Sequence, residues 1–194
     1  MTTIKLYPNK TLLTKCENFV TEQNLWLLMD SIVNMQSIVK EQKALGLAAN
    51  QVGMKERIII VSFDGEQVPM LNPRITSATD EKTGEEGCLS FPGVFVNIKR
   101  FSRITVEWED VNLKTHCETF IDMAAVIVQH EIDHLDGLTI YQRAGQTTKT
   151  MIIRTLKKGK RLHYRNEEKA TIMKNKIKEI DRVNEIIKEV NEKD

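Results

Sequence analysis

The sequence contains 194 residues (22.3 kDa), with 28 Lys+Arg against 27 Asp+Glu and a net charge of +1. Hydrophobic residues make up 41% and charged residues 28%, so the chain can bury a sizeable core, and global disorder is excluded. Three cysteines exclude a disulfide scaffold and favour a reducing compartment. Because no apolar run approaches the roughly 20 residues that span a bilayer and the start lacks a signal-peptide core, we expect a cytoplasmic protein without a membrane partner.

The first half of the chain predicts one helix followed by strands. Apolar side chains recur about every 3.6 residues over 22–43, which indicates an amphipathic helix. Residues 44–53 are rich in small side chains and predict a loop or a short strand. A β-branched strand at 58–63 then leads through the hairpin signal Asp64-Gly65 into a second strand at 68–72.

The next stretch predicts a loop, a hairpin and a helix. Residues 76–87 are polar and predict a loop. Alternating side chains over 104–109 predict a half-buried strand, and a turn near 110–113 predicts a hairpin with a partner strand at about 115–121. A helix should follow over about 123–135, with Asp122 as its N-cap and Gly137 beyond its C-terminal end.

This order of elements predicts an α+β fold. We expect antiparallel strands and hairpins around a central helix, with an N-terminal helix and a long C-terminal helical segment that breaks or bends near Gly159. The predicted domain organisation is a body over residues 1–146 and a basic, helical extension over 147–194.

The stretch Gln129-His130-Glu131-Ile132-Asp133-His134 contains the pattern H-E-x-x-H on a predicted helix. Two histidines four residues apart project from one helix face and can bind one metal ion. The carboxylate between them can take a proton from metal-bound water. The alternative, two solvated helix histidines, is disfavoured because the pattern is rare by chance.

A catalytic metal of this type needs a third protein ligand. The protease pattern that adds a third His after the helix fails, since Ile140 occupies that position. A Glu from a later helix is a second option, with Glu167 or Glu168 as candidates in a highly charged stretch. The third candidate is Cys88, which follows Gly87 and lies 42 residues before His130.

The chain resembles the peptide deformylase family through three separated motifs. The pattern G-x-G-x-A-A-x-Q is present as Ala44-Leu-Gly46-Leu-Ala48-Ala49-Asn-Gln51, with Ala44 in place of the first glycine. The patterns E-G-C-L-S and Q-H-E-x-D-H are intact at Glu86-Gly87-Cys88-Leu89-Ser90 and at Gln129 through His134. Weaker similarity extends from about Ile4 to Arg143.

The resemblance implies an enzyme that removes the formyl group from the N-terminal methionine of new polypeptides. By this resemblance the metal ligands are Cys88, His130 and His134, and Glu131 is the catalytic acid and base. Gln51 and the backbone N–H of Leu89 would stabilise the oxyanion. The resemblance also implies Fe²⁺ as the native metal, although this ligand set suits Zn²⁺, Ni²⁺ or Co²⁺ as well.

The resemblance also implies that the substrate peptide binds in a strand-like conformation and forms hydrogen bonds with the backbone of Leu45 and Gly46. The predicted substrate-binding residues are Leu45, Gly46, Glu86, Gly87, Met123, Val126 and Ile127. The last three precede His130 by seven, four and three residues and share its side of the helix. They form either a pocket for the methionine side chain or part of the core.

Three departures from the family pattern lie away from the metal ligands. We expect an ordinary φ at Ala44, where the family has glycine. Asp122 replaces a glycine that often begins the metal-binding helix, and Gln142 replaces the aspartate that often precedes Arg143. None of these changes removes a catalytic group.

Two other functions compete with the deformylase hypothesis. A zinc endopeptidase would use a glutamate ligand from the C-terminal segment, and a metal-stabilised binding module would need no catalytic carboxylate. Full metal retention by Cys88→Ala would favour the endopeptidase. An unchanged Glu131→Gln variant, together with unfolding when the metal is chelated, would favour the binding module.

The near-neutral net charge conceals two unlike regions. Residues 147–194 carry 14 Lys+Arg and 8 Asp+Glu, a net of +6, which leaves −5 on residues 1–146. A basic cluster of this kind is commonly just solvated, but some deformylases use a C-terminal helix to contact the ribosome. We therefore expect a monomer that acts on formyl-methionyl nascent peptides, with a ribosome contact through the basic segment.

Overall fold

The structure is a computed structural model that describes residues 3–17 and 21–159. The chain divides into two compact units, Met1–Ile152 and Ile153–Asp194. Residues 146–159 are helical, and the predicted continuation of the C-terminal helical segment lies outside the described residues. The predicted boundary at residue 146 therefore stays a prediction. Within the described ranges, no helix is long and apolar enough to cross a membrane.

The first unit combines one antiparallel sheet with helices, which confirms the predicted α+β fold. Two short 3₁₀ helices cover Lys10–Leu13 and Ala49–Val52. The strands and helices are β1 (Gly46–Ala48), β2 (Ile58–Phe63), β3 (Glu66–Gly87), β4 (Phe95–Glu109), β5 (Thr115–Ile121), α1 (Glu22–Gln42), α2 (Asp122–Leu135) and α3 (Ile140–Arg143).

The five strands form a meander in which each strand pairs with the next along the chain, in the order β1-β2-β3-β4-β5. Helix α2 follows β5 directly and packs against β4, β1 and β2. Its buried residues Val128, Ile132 and Leu135 share one core cluster with the apolar residues of β2 and α1. The helix that carries the histidines is therefore held in the centre of the fold.

The prediction of a loop over residues 76–87 is wrong, because these residues continue β3. They pair with β4 from Ser77 opposite Thr105 to Gly87 opposite Phe95. Most of these β3 side chains are exposed, so the segment shows no alternation of apolar and polar residues. The signal lies in the partner strand, where Val96 and Ile98 alternate with exposed residues and bury one face.

The start of α2 also differs from the prediction. Ile121 occupies the N-cap position, and Asp122 is the first helical residue with a left-handed φ of 48°. The chain turns from β5 into α2 without a linker, and this turn needs a conformation that glycine adopts at lower cost. The carboxylate of Asp122 bonds to Lys82 at 3.1 Å rather than to the helix backbone.

The end of α2 confirms the role predicted for Gly137. This glycine has a φ of 73°, and its N–H donates to the carbonyl of His134. A Cβ at this position would lie 2.9 Å from the backbone oxygen of Leu13. Gly137 is therefore required both by the helix ending and by the close approach of the N-terminal region.

Candidate active site

Three potential metal ligands converge at one point. Cys88 begins the connection between β3 and β4, whereas His130 and His134 lie one turn apart on α2. Their ligand atoms all lie within 4.8 Å of one another, and Cys88 Sγ is 3.2 Å from His134 Nε2. Both histidines are buried, and Cys88 is partly exposed. The two motifs are therefore brought together by the hairpin that pairs β3 with β4.

These residues fit a divalent transition-metal ion. A tetrahedral ion with metal–sulfur and metal–nitrogen distances of about 2.3 and 2.1 Å holds neighbouring ligand atoms about 3.3–3.7 Å apart. One thiolate and two imidazoles suit Zn²⁺, Fe²⁺, Co²⁺ or Ni²⁺. Burial lowers the pKa of His134 and keeps its ring neutral, which is the form that binds metal.

The carboxylate of Glu131 lies beside the three candidate ligands, and one of its oxygens forms no hydrogen bond with the described residues. Glu131 is buried, and its Oε2 has no hydrogen-bond partner among the described residues. Burial raises the pKa of Glu131 to about 7. A buried carboxylate with a pKa near neutrality can both accept and return a proton.

Gly46 of β1 lies directly against this carboxylate. A Cβ built on Gly46 would lie 2.6 Å from Glu131 Oε1 and 2.8 Å from Glu131 Cγ. Such distances are shorter than any ordinary carbon or oxygen contact. The glycine therefore provides the space in which the Glu131 side chain rests.

The side chain of Gln51 points toward Cys88. Its Oε1 accepts a hydrogen bond from the N–H of Ala48 at 2.8 Å, which fixes the orientation of the amide. Its Nε2 then donates to Ser90 Oγ at 3.1 Å and faces Cys88 Sγ at 3.6 Å. Leu89 follows Cys88 directly and lines the same cleft.

A chain of mostly buried charges contacts the candidate metal ligand His130. His130 Nδ1 lies 2.8 Å from Glu86 Oε2, and Arg100 Nε donates to Glu86 Oε1 at 2.7 Å. Arg100 also bonds to Asp133, which accepts from Arg143 Nε at 2.9 Å. These contacts fix the orientation of the His130 ring, as outer partners of metal ligands commonly do.

This charge chain determines how Glu86 and His130 titrate in the metal-free site. Burial by itself would raise the pKa of Glu86, but hydrogen bonds from His130 and Arg100 lower it to about 2. Burial would likewise lower the pKa of His130, yet hydrogen bonds with Cys88 and Glu86 raise it. A bound cation would displace the proton from that ring.

Sequence reasoning placed Glu86 among the substrate-binding residues and did not identify the roles of Arg100, Asp133 and Arg143. The carboxylate of Glu86 is engaged with His130 and Arg100, although the residue also lines the cleft. Asp133 could have been singled out as an acidic residue inside the histidine motif. No local pattern marks Arg100, because its partners are 14 and 33 residues away.

A cleft of about 670 Å³ opens in front of the site. Besides Glu86, the cleft is lined by all the residues predicted for substrate binding or catalysis: Leu45, Gly46, Gln51, Gly87, Leu89, Met123, Val126, Ile127 and Glu131. Ile127 is buried and belongs to the core cluster, Val126 is half-buried, and Met123 is exposed. Ile127 is thus part of the core and also lines the cleft, and its contact with a methionine side chain stays a prediction. Glu167 and Glu168 lie outside the described residues.

Comparison with known proteins identifies the family. The profile described as polypeptide deformylase matches residues 1–150, which is more than half of the chain. The chain belongs to the polypeptide deformylase family. The predicted membership, fold and enzyme class are thereby confirmed.

Individual family members are similar in sequence and in structure. The peptide deformylase of Chlorobaculum parvum is 36% identical over 136 residues, covering 66% of this chain and 73% of that protein. That of Thermodesulfovibrio yellowstonii is 37% identical over 147 residues, covering 72% and 87%. The crystal structure of a peptide deformylase from Legionella pneumophila has a TM-score of 0.78 at 31% identity, covering 85% of this chain and 98% of that one.

The departures from the deformylase pattern have local explanations. Ala44 has the ordinary φ that we expected, because the left-handed residue that ends α1 is Lys43, with a φ of 50°. Gln142 accepts a hydrogen bond from the N–H of Thr139 at 3.0 Å and so caps α3. Arg143 still reaches Asp133.

Proposed function

We propose that this deformylase-family protein removes the N-formyl group from the N-terminal methionine of newly made polypeptides and releases formate. The observation that carries the proposal is the buried Glu131 carboxylate, whose Oε2 has no hydrogen-bond partner among the described residues, beside the donors Cys88, His130 and His134. Glu131 lines a cleft of about 670 Å³, a volume typical of ligand-binding sites. Membership in the family supports the same conclusion.

Cys88, His130 and His134 would hold one divalent ion, with Fe²⁺ as the expected native metal and Zn²⁺, Ni²⁺ or Co²⁺ as alternatives. When bound, the ion lowers the pKa of its water toward about 7 and polarises the formyl oxygen. The charge chain behind His130 would keep the ring in one orientation during this chemistry.

The protein side chains supply the proton transfers and the oxyanion contacts. Glu131 takes one proton from the attacking water, and the resulting hydroxide adds to the formyl carbon. The developing negative oxygen accepts hydrogen bonds from the Gln51 amide and the Leu89 N–H. As the carbon–nitrogen bond breaks, Glu131 returns its proton to the α-amine, so the products are formate and a free N-terminus.

The substrate would bind across the cleft in an extended conformation. Leu45, Gly46, Glu86 and Gly87 all line the cleft, and their backbone groups would bind the extended peptide. The methionine side chain would then enter the apolar pocket on α2, which is lined by Met123, Val126 and Ile127.

The direct test measures formate release from a formyl-methionyl peptide by protein loaded with Fe²⁺ or Ni²⁺. We expect turnover by the loaded protein and no cleavage of an acetylated or unmodified peptide. Cys88→Ala should lose bound metal and activity together. Full metal retention by Cys88→Ala, with cleavage of internal peptide bonds, would instead identify an endopeptidase.

We also propose that this enzyme is a cytoplasmic monomer and that its basic segment, residues 147–194, contacts ribosomal RNA. Its described part, residues 147–159, is helical and carries Lys149, Arg154, Lys157 and Lys158. Replacing basic residues of 154–165 with glutamine should weaken co-sedimentation with ribosomes and reduce its dependence on salt. Equal binding by the neutralised protein at every salt concentration would contradict the proposed contact.

A further inference from the structure

Four exposed apolar side chains surround the mouth of the cleft. Leu6, Leu45, Phe95 and Met123 are 47%, 55%, 63% and 62% exposed, and all four line the same cavity. They come from four separate segments: the residues before Lys10–Leu13, the residue before β1, the start of β4 and the start of α2. We refer to these four residues as the apolar rim.

Single exposed apolar residues are common on protein surfaces and need no function. The apolar rim differs because its members converge on one concave site, which is typical of a ligand-binding surface. The charged residues of the outer lining are Lys43 and Glu85, one of each sign, so neither charge dominates the mouth. The rim therefore favours apolar contacts over a charged ligand.

Phe95 is fixed in its exposed position by its cross-strand partner. It pairs with Gly87, and a Cβ on that glycine would lie 2.8 Å from Phe95 Cε1 and 3.1 Å from Cδ1. The aromatic ring therefore lies directly over the glycine that precedes the ligand Cys88. This packing seats one side of the ring and leaves the other side open to the cleft.

Leu6 is also held rather than free. The N–H of Lys5 donates to the carbonyl of Gln51 at 2.7 Å, and the N–H of Tyr7 donates to the carbonyl of Ser90 at 3.0 Å. The Tyr7 ring stacks on Phe91 with centroids 4.8 Å apart. The backbone on each side of Leu6 is thus tied to the segments that carry Gln51 and Cys88.

From this arrangement we propose that the apolar rim selects substrates by the residues that follow the methionine, and that it favours apolar side chains there. Phe95 and Leu6 are the specificity-determining residues. The inference rests on the proposed function, since it needs a peptide whose methionine occupies the pocket on α2. Met123 belongs both to the rim and to that pocket, and all of these residues line one cleft, so the residues that follow the methionine would lie beside the rim.

Matched peptides test this preference with the metal-loaded full-length protein. Leucine and asparagine have nearly the same shape, so formyl-Met-Leu-Ser is compared with formyl-Met-Asn-Ser, and formyl-Met-Ser-Leu with formyl-Met-Ser-Asn. At one of the two positions we expect kcat/KM to favour leucine by about fivefold, because a half-open rim recovers only part of the discrimination of a closed apolar pocket. In Phe95→Ser and Leu6→Ser this ratio should fall toward one, while Phe95→Leu keeps most of it.

Each ratio is measured within one protein variant, so any general loss of activity cancels. Leu13→Ser is the matched control, because Leu13 is also an exposed leucine of the N-terminal region but does not line the cleft, and it should leave the ratio unchanged. A wild-type ratio near one at both positions, or an unchanged ratio in both serine variants, would overturn the proposal. Absence of turnover with every formyl peptide would overturn the proposed function as well, and is a distinct result.

Discussion

The contact between Gly46 and Glu131 makes the alanine substitution at Gly46 a sensitive test of the catalytic arrangement. In Gly46→Ala the new Cβ would lie 2.6, 2.8 and 2.9 Å from Oε1, Cγ and Cδ of Glu131. Ordinary contacts are about 3.5–4.0 Å, so the carboxylate must move by roughly 1 Å. A displacement of that size at a reacting group costs about 10²-fold in rate.

We therefore expect kcat for a formyl-methionyl peptide to fall about 100-fold in Gly46→Ala, with KM changed much less and with normal metal content. Gly84→Ala is the matched control, because a Cβ at Gly84 meets nothing within 4 Å. Steady-state kinetics on protein of measured metal content provides the comparison.

A shorter acid at position 131 checks that the effect passes through this carboxylate. Glu131→Asp withdraws the side chain by one methylene and should reduce activity by itself. In the double variant with Gly46→Ala the two losses should not multiply, because both substitutions act by displacing the same carboxylate. Gly46→Ala with more than half of the wild-type kcat, or strictly multiplicative losses, would refute this account of the glycine.

The remaining predictions concern metal affinity and stability. Glu86→Gln should weaken metal binding about 10- to 100-fold in a chelator competition, because the outer partner of His130 loses its charge; an unchanged affinity would contradict the role of the charge chain. In metal-free protein the Glu86 pKa of about 2, below its ordinary 4.5, contributes stability that is fully present above pH 4.5 and lost as the pH falls toward 2. The free energy of unfolding, measured with urea, should fall across that pH range. In Glu86→Gln the dependence of this free energy on pH should be weaker. Gly137→Ala should destabilise the fold by about 1–3 kcal/mol, because the alanine would have a left-handed φ and its Cβ would clash with a backbone oxygen. Asp122→Gly should stabilise the fold by about 0.5–1 kcal/mol. The glycine relieves the left-handed φ at this position, and this gain exceeds the loss of the exposed ion pair with Lys82. Urea midpoints that move in the opposite directions would show that these backbone assignments are wrong.

The sequence was most informative where a local pattern carries the chemistry. The spacing of His130 and His134 predicts both the helix and the paired ligands, because one helical turn separates residues four apart. Cys88 was one of three candidates for the third ligand by spacing alone, and it was favoured by the resemblance to a family. The structure brings its sulfur next to His134.

Features that depend on distant partners were missed. The polar half of β3 has no alternation of its own, and its pairing depends on β4. Arg100 and Arg143 acquire their roles only when β4 and α3 meet the buried Asp133 of α2. The left-handed φ of Asp122 follows from the direct turn between β5 and α2, which a residue-by-residue capping preference does not anticipate.

The central claim is that Glu131 transfers the proton in a metal-dependent deformylation. Formate release from a formyl-methionyl peptide is the direct measurement, made on wild type and Glu131→Gln with the same metal content. The amide keeps the shape of the side chain but cannot accept the proton, so we expect kcat to fall by about 10²–10⁴-fold. Deformylation by Glu131→Gln within a few fold of wild type would contradict the account.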